Sequence, residues 1–230
     1  MVRAAFFDVD GTLTAGVGIF RFLRWHLAWT GRPPEVFEAH LARLRALRDA
    51  GAPREATNRA HYEVYRGFGA DETAVSARRW LAAEGAAVFN PFAVAAAAVH
   101  RAAGDAVVLV SGSFPALLAP IAAATGASHL LCSAPAVAGG VYTGALVGEP
   151  MIGEEKAAAV RRLAAREGWR LGEATGYGDH VSDLPLLYAC GSAVVVGGEL
   201  DEVAGREGWR RLPGVPEPPP LPLPQSSYSQ

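Results

Sequence analysis

Two carboxylates, Asp8 and Asp10, stand two residues apart where the apolar run Phe6-Phe7 gives way to Gly11-Thr12. A strand turns residues i and i+2 to the same side, so both acids aim at whatever lies beyond the strand end. Gly11 lets the backbone turn close to that point. Adjacent anions with no basic neighbour repel each other unless a cation sits between them or one carries a proton. The simplest chemistry that meets this demand is a hard divalent metal with oxygen ligands. Three further places carry polar groups at element ends. Val107-Val108-Leu109-Val110 runs into Ser111-Gly112-Ser113, a hydroxyl followed by a glycine. Lys156 opens an alanine-rich helix after Gly153-Glu154-Glu155. Tyr177-Gly178-Asp179-His180-Val181-Ser182-Asp183 is a further strand-end turn, again with two carboxylates.

The elements that must position these residues alternate. Strands are predicted over 3–9, 106–111, 129–133, 174–178, 192–196 and 209–212, and helices over 91–103, 113–125, 154–167, 183–189 and 199–207. Such alternation implies an α/β fold, a Rossmann-like parallel sheet with helices on both faces. Ligands in these sheets bind beyond the carboxyl ends of the strands, where Asp8, Ser111 and Asp179 fall. Asn90-Pro91 reads as an N-cap followed by proline at the first helical position. Residues 15–89 break the alternation and read as helices near 17–30, 34–50, 54–67 and 71–84. Val36, Phe37, Leu41, Leu44 and Leu47 recur at three- and four-residue spacing, which marks one buried stripe. The aromatic residues Phe20, Phe22, Trp25 and Trp29 of the first of these helices read as core, and Arg21, Arg24 and His26 either as its solvated face or as groups that meet an anionic or polyhydroxylated leaving group. The segment 134–147 reads as a hairpin. The pentapeptide Arg-Glu-Gly-Trp-Arg, present at 166–170 and 206–210, fits two helix ends rather than a domain repeat. Seven prolines between Pro213 and Pro224 exclude regular helix and sheet and predict a floppy or polyproline extension.

A chain of 230 residues suffices for one core and an insertion. Half of it is hydrophobic and the net charge is −2, which gives no electrostatic case for a nucleic-acid partner. No apolar run reaches membrane-spanning length, and the N-terminus lacks a secretory pattern, so a cytoplasmic protein is expected. Cys132 and Cys190 read as two buried thiols rather than a disulfide. Of 21 basic residues one alone, Lys156, is lysine. A compact ammonium on a flexible stem differs physically from a planar guanidinium, so this position is one where a point charge is needed.

Taken in order, Asp8-x-Asp10-Gly11-Thr12, Ser111, Lys156 and Gly178-Asp179-x-x-x-Asp183 resemble the motif series of the haloacid dehalogenase superfamily over about residues 3 to 212. The helical insert resembles the cap of the phosphoserine-phosphatase-like branch, subfamily IB. The resemblance implies a catalytic core of residues 1–14 and 90–212, a helical-bundle cap of residues 15–89 and a proline-rich tail of residues 213–230. It also implies a Mg²⁺-dependent phosphomonoester hydrolase acting on a small metabolite. Asp8 would be the nucleophile that becomes an aspartyl-phosphate, and Asp10 the general acid and then base. Gly11, Thr12, Ser111 and Gly112 would bind the phosphoryl oxygens, and Lys156 would neutralise the charge gathering there. Mg²⁺ would be held by Asp8, the backbone carbonyl of Asp10 and Asp179. Asp183 would hold Lys156 or a metal-bound water; as a residue it equally fits an N-cap for a helix beginning at Leu184, and the two roles are compatible.

Asp10 separates reaction classes within the superfamily, because its dehalogenases need no metal and lack the second aspartate. Phosphonate-cleaving relatives use a cap lysine, and residues 15–89 contain none. The transport ATPases with this core would need membrane helices. Phosphoserine phosphatases typically carry Ser where this chain has Gly11 and a cap glutamate where it has Val17, and an apolar side chain cannot pair with a substrate ammonium. Val17 and Arg21 are the expected substrate-facing positions of the cap. Phosphoserine phosphatase proper, a phosphotransferase and a non-catalytic phosphometabolite-binding protein are the alternatives.

Overall fold

All four residues of β1 (Ala4–Phe7) are buried, and the alternation of the strand sends Ala5 and Phe7 into one apolar cluster and Ala4 and Phe6 into another. β2 (Ala106–Ser111) repeats the pattern, with Val107 and Leu109 on the first side and Val108 and Val110 on the second. Both strands are thus buried on two faces, which is why they read as continuous apolar runs. They lie at the centre of a six-stranded sheet in a computed structural model that describes residues 3–224. With β3 (His129–Cys132), β6 (Thr175–Gly178), β7 (Ser192–Val196) and β8 (Arg210–Leu212), the spatial order is β3-β2-β1-β6-β7-β8. Every pairing within it is parallel.

Helices cover both faces, as expected. α5 (Pro91–Ala102) and α6 (Pro115–Thr125) contribute Ala93, Ala97, Leu117, Leu118 and Ile121 to the first cluster, while α7 (Glu154–Glu167) places Ala159, Val160 and Leu163 in the second. The short α8 (Leu184–Ala189) and α9 (Asp201–Glu207) complete the order. Asn90 caps α5 as its sequence suggests, its side chain accepting from the Phe92 amide at 3.0 Å. β4 (Pro135–Ala138) and β5 (Val141–Leu146) form the antiparallel hairpin. Cys132 and Cys190 are free thiols, only partly buried, and burial pushes them up to about 11 and about 12.

Between β1 and α5 the chain leaves the sheet for α1 (Gly18–Trp29), α2 (Pro34–Asp49), α3 (Arg54–His61) and α4 (Ala70–Glu84). The third of these was expected to run to residue 67. It stops at His61, and a 3-10 turn carries Tyr62–Tyr65 onward, so Tyr62 and Tyr65 both enter the core. The predicted stripe of α2 is real but shallow: Leu44 is buried, Val36, Phe37, Leu41 and Leu47 are partly so, and His40 fills the centre of the stripe.

Two expectations for α1 need correction. His26 is fully buried, not solvated, against Phe22, Tyr65 and Phe68. Arg21 is not solvated either, because its guanidinium pairs with the buried Glu84 at 2.7 Å. A charge on an amphipathic helix reaches the interior when a carboxylate on a neighbouring helix compensates it, and periodicity within α1 carries no information about α4.

The tail also departs from expectation. Residues 213–224 have no regular structure, as their prolines require, but they are not free. Pro213 O accepts from the Asn90 side chain at 3.0 Å, and Pro218 O accepts from Arg21 at 2.7 Å. Leu221 packs against the first apolar cluster. Proline pre-pays the conformational entropy of an extended chain, so few contacts suffice to dock it. Residues 225–230 lie outside the described part of the chain.

Candidate active site

Strand register assembles the site. Phe7 pairs with Leu109 on one side and with Tyr177 on the other. The Phe7 and Tyr177 rings stack at 4.0 Å, and the Asp8 amide donates to Tyr177 O at 3.0 Å. Asp8, Ser111 and Asp179 therefore leave the sheet side by side at its carboxyl edge. Gly11 has φ +87° and lies so close to Asp179 that a Cβ there would stand 2.2 Å from Oδ2. That position needs glycine for both conformation and space.

Lys156 reaches the same point from the first turn of α7. Its Nζ lies 2.5 Å from Asp8 Oδ1 and 2.7 Å from Asp183 Oδ1, and all three side chains are buried. Burial works against the Lys156 ammonium, but the charges of Asp183 and Asp8 outweigh it and hold its pKa above the ordinary lysine value. Burial likewise raises the Asp183 carboxyl, but Lys156 and the His180 amide prevail, and it is held below the carboxylate range. Asp8 goes the other way: burial, assisted by Asp183, lifts it against the pull of Lys156. Asp183 does stand at the N-cap of α8, yet it makes no cap bond there. Its Oδ2 accepts instead from the amides of Asp179 and His180, at 3.3 and 3.1 Å. It ties the turn that carries Asp179 to Lys156.

Asp10 Oδ1 accepts from the Gly18 amide at 2.7 Å, where α1 begins. Burial, then the charge of Asp8, push its carboxyl up to about 7. Asp179 is pushed up to about 8 by burial and by Asp8 and Asp183, and the Thr12 hydroxyl donates to it at 3.0 Å. Ser111 Oγ is buried and accepts from the Ser113 amide at 3.0 Å, which leaves its own hydrogen free to donate.

The donor set fits a divalent cation. Asp8, Asp179 and Asp183 each offer a carboxylate oxygen, and these oxygens all lie within 4.8 Å of one another. Lys156 pairs with Asp8 and Asp183, while burial and Asp8 push up Asp10 and Asp179 beside them, so acids outnumber the ammonium they surround. An all-oxygen set without thiolate or imidazole suits a hard ion. Since Asp183 is committed to Lys156 and two amides, Asp8 and Asp179 are the side chains best placed to hold it.

Of the two substrate-facing candidates, Val17 adjoins this cluster, next to the Gly18 amide that donates to Asp10, and Arg21 does not. Val17 is half exposed just before α1. Arg21 turns toward Glu84 and the tail. Arg54 and Asn58 of α3, with Tyr62 of the 3-10 turn after it, approach the strand ends instead. Asn58 Nδ2 and Tyr62 Oη reach Gly112 O at 3.1 and 2.6 Å. Arg54 is near enough for its charge to lower the pKa of both Asp183 and His180. Arg54, Asn58 and Tyr62 follow one another at i, i+4 and i+8, a spacing that sets them on one side of a helical segment but does not say what that side faces.

A parallel sheet with helices on both faces, carrying these acids and one buried lysine at its carboxyl edge, defines a Rossmann-like α/β fold with a carboxylate centre. The chain belongs to the haloacid dehalogenase-like hydrolase family, whose model matches residues 5–188. It is 42% identical over 114 residues to a probable phosphatase of Mycobacterium tuberculosis and 38% identical over 113 residues to a phosphoserine phosphatase of that organism. Those matches cover 49% and 48% of this chain but 39% and 37% of the relatives, so the chain spans about two fifths of their length. A solved structure of a protein of unknown function from Bordetella pertussis Tohama I superposes with a TM-score of 0.82 at 29% identity, over 92% of this chain and 98% of that one. A substrate-bound phosphoserine phosphatase shares the fold, with a TM-score of 0.66 at 17% identity over 92% and 93% of the two chains.

Proposed function

We propose that the protein is a Mg²⁺-dependent phosphomonoester hydrolase of small metabolites in the cytoplasm, with residues 15–89 as the cap over its core. The observation that carries this reading is the buried Asp8–Lys156–Asp183 triad with Asp10 beside it. A carboxylate held by an ammonium is a usable nucleophile, and a neighbouring acid poised near neutrality can give and take a proton.

In the first step an Asp8 oxygen attacks phosphorus and the bond to the leaving oxygen breaks, while Asp10 delivers its proton to that oxygen. In the second, Asp10 takes a proton from water, the water oxygen attacks the aspartyl-phosphate, and Asp8 is released with inorganic phosphate. Ser111, through its free hydrogen, and the amide of Gly112 bind the phosphoryl oxygens. The expected help of Gly11 and Thr12 needs correction, because their amides donate to Thr14 O, Gly16 O and Val9 O within the turn and the Thr12 hydroxyl to Asp179. Lys156 offsets the charge on Asp8 and on the transferring group. A Mg²⁺ ion held by Asp8, the Asp10 carbonyl and Asp179 supplies neutralisation of the substrate dianion.

Phosphoserine is not the favoured substrate, since apolar Val17 gives an ammonium nothing to pair with. Arg54 favours a leaving group that carries an anion or several hydroxyls. The test is phosphate release from a panel of p-nitrophenyl phosphate, phosphoserine, sugar phosphates, glycerol phosphate, histidinol phosphate and phosphocholine, with and without Mg²⁺, beside Asp8→Asn. Metal-dependent release that disappears in the variant is expected. Release by Asp8→Asn at the wild-type rate removes Asp8 as nucleophile.

A further inference from the structure

The Gly112 carbonyl, one residue beyond Ser111, accepts two hydrogen bonds from outside the sheet: Tyr62 Oη at 2.6 Å and Asn58 Nδ2 at 3.1 Å. Both donors come from the segment inserted between β1 and α5, and Tyr62 is fully buried. Burial raises the Tyr62 phenol well above its ordinary value, so it stays a proton donor. Asn58 is itself oriented, because its Oδ1 accepts from Ser133 Oγ at 3.4 Å, and Ser133 Oγ accepts from the Met151 amide at 3.0 Å. The approach is close enough that a Cβ on Gly112 would stand 2.9 Å from Asn58 Nδ2 and 2.5 Å from Ile152 Cδ1.

The carbonyl of Gly112 and the amide of Ser113 belong to one peptide plane. That amide donates to Ser111 Oγ at 3.0 Å. Holding the carbonyl therefore fixes the amide, and the amide fills one acceptor position of the Ser111 hydroxyl. The hydroxyl hydrogen is then left to point away from Ser113.

The geometry points to Asn58 and Tyr62 as positioning residues that aim Ser111 at the phosphoryl group by clamping the Gly112 peptide from the cap side. This rests on the phosphatase reading. The clamp exists only while α3 lies against the core, so cap closure and assembly of the phosphoryl site are one event. Binding energy spent on closure then appears as order at the reacting group.

The experiment compares Mg²⁺-saturated wild type with Tyr62→Phe, Asn58→Ala and the double variant. Inorganic phosphate affinity is measured by calorimetry and amide hydrogen exchange of residues 111–113 by NMR. Tyr62→Phe removes only a hydroxyl and should weaken phosphate about tenfold, the size of one hydrogen bond. It should also speed exchange at Ser113 with little change in the exchange of the central strands. The two changes share one acceptor, so the double variant should lose less than the product of the singles. Phosphate affinity within about twofold of wild type in the double variant overturns the assignment, whether or not exchange changes. If wild type takes up no phosphate, the phosphatase reading falls, and Ser113 exchange decides the clamp alone: faster exchange in the variants supports it, unchanged exchange overturns it.

Discussion

Lys156 Nζ lies 2.5 Å from Asp8 Oδ1 in a site where the lysine is only 2% exposed. The one lysine of the chain is thus spent on an interior ion pair, and the shape of the charge matters there. Lys156→Arg keeps the charge but adds a planar fork with more volume than the site provides. Overpacking of this kind costs about 1–3 kcal/mol, and displacing the charge should lower kcat by roughly 10² or more. Lys156→Met leaves Asp8 and Asp183 facing each other without a cation and should cost about 3–5 kcal/mol. Urea unfolding and steady-state kinetics measure both, and near-wild-type kinetics for Lys156→Arg would show that geometry at this point is immaterial.

The excess of acid predicts an inversion at Asp179. Asp179→Asn removes an acid that burial and its acidic neighbours make costly to ionise, and keeps an oxygen to accept the Thr12 hydroxyl. In EDTA the variant should melt at or above the wild-type temperature. With Mg²⁺ at about 100 times its dissociation constant, wild type should gain about 2.7 kcal/mol by mass action and the variant little. An equal Mg²⁺ increment in both proteins excludes Asp179 as a ligand.

Three histidines between the inserted helices make this part of the chain acid-labile. Burial lowers His26 and His40 to about 4, and burial with the neighbouring His40 lowers His61 to about 3. His40 Nε2 and His61 Nδ1 share a hydrogen bond at 3.0 Å, with Arg43 and Glu63 near His40. Depressed folded values mean that the unfolded chain binds more protons. The stabilisation is complete above about pH 6.5 and falls by roughly 1.4 kcal/mol per unit for each group as pH drops toward the folded value. The raised acids of the active site act in the opposite sense, so the comparison is wild type against His26→Phe, both with saturating Mg²⁺. Urea unfolding between about pH 6 and 4.5 should show a slope smaller by about one proton in the variant. Parallel slopes would falsify the neutral assignment of His26.

The tail should contribute to stability. Arg21, only 9% exposed, donates to Pro218 O and Pro219 O at 2.7 and 3.2 Å and pairs with Glu217 at 3.4 Å. Phe20, Trp25, Phe37 and Trp80 line a cavity of about 430 Å³ that Pro218–Leu221 help to enclose. Removing residues 213–230 should lose the three carbonyl bonds from Asn90 and Arg21, about 3 kcal/mol, and lower Tm by about 6–12 °C. A truncated protein with unchanged Tm means that this docking is energetically neutral.

The amino-acid sequence by itself determined what depends on local order. Short continuous apolar runs ending in polar residues and glycine specified β1 and β2. Asn90-Pro91 specified the start of α5, and the positions of Asp8, Ser111, Lys156 and Asp179 at element ends located the site. Each of these is encoded within a few residues, by an apolar run and its end or by capping chemistry. Tertiary structure alone decided the partners of charged and aromatic side chains. Arg21 read as a substrate residue until Glu84, 63 positions away, took its guanidinium. The prolines of the tail read as a free extension until Asn90 and Arg21 held their carbonyls. Asn58 and Tyr62 acquired meaning only when the packing of α3 and the 3-10 turn after it brought them to Gly112. Hydrogen bonds and ion pairs between distant segments depend on which surfaces the fold presses together, and no local pattern records that choice.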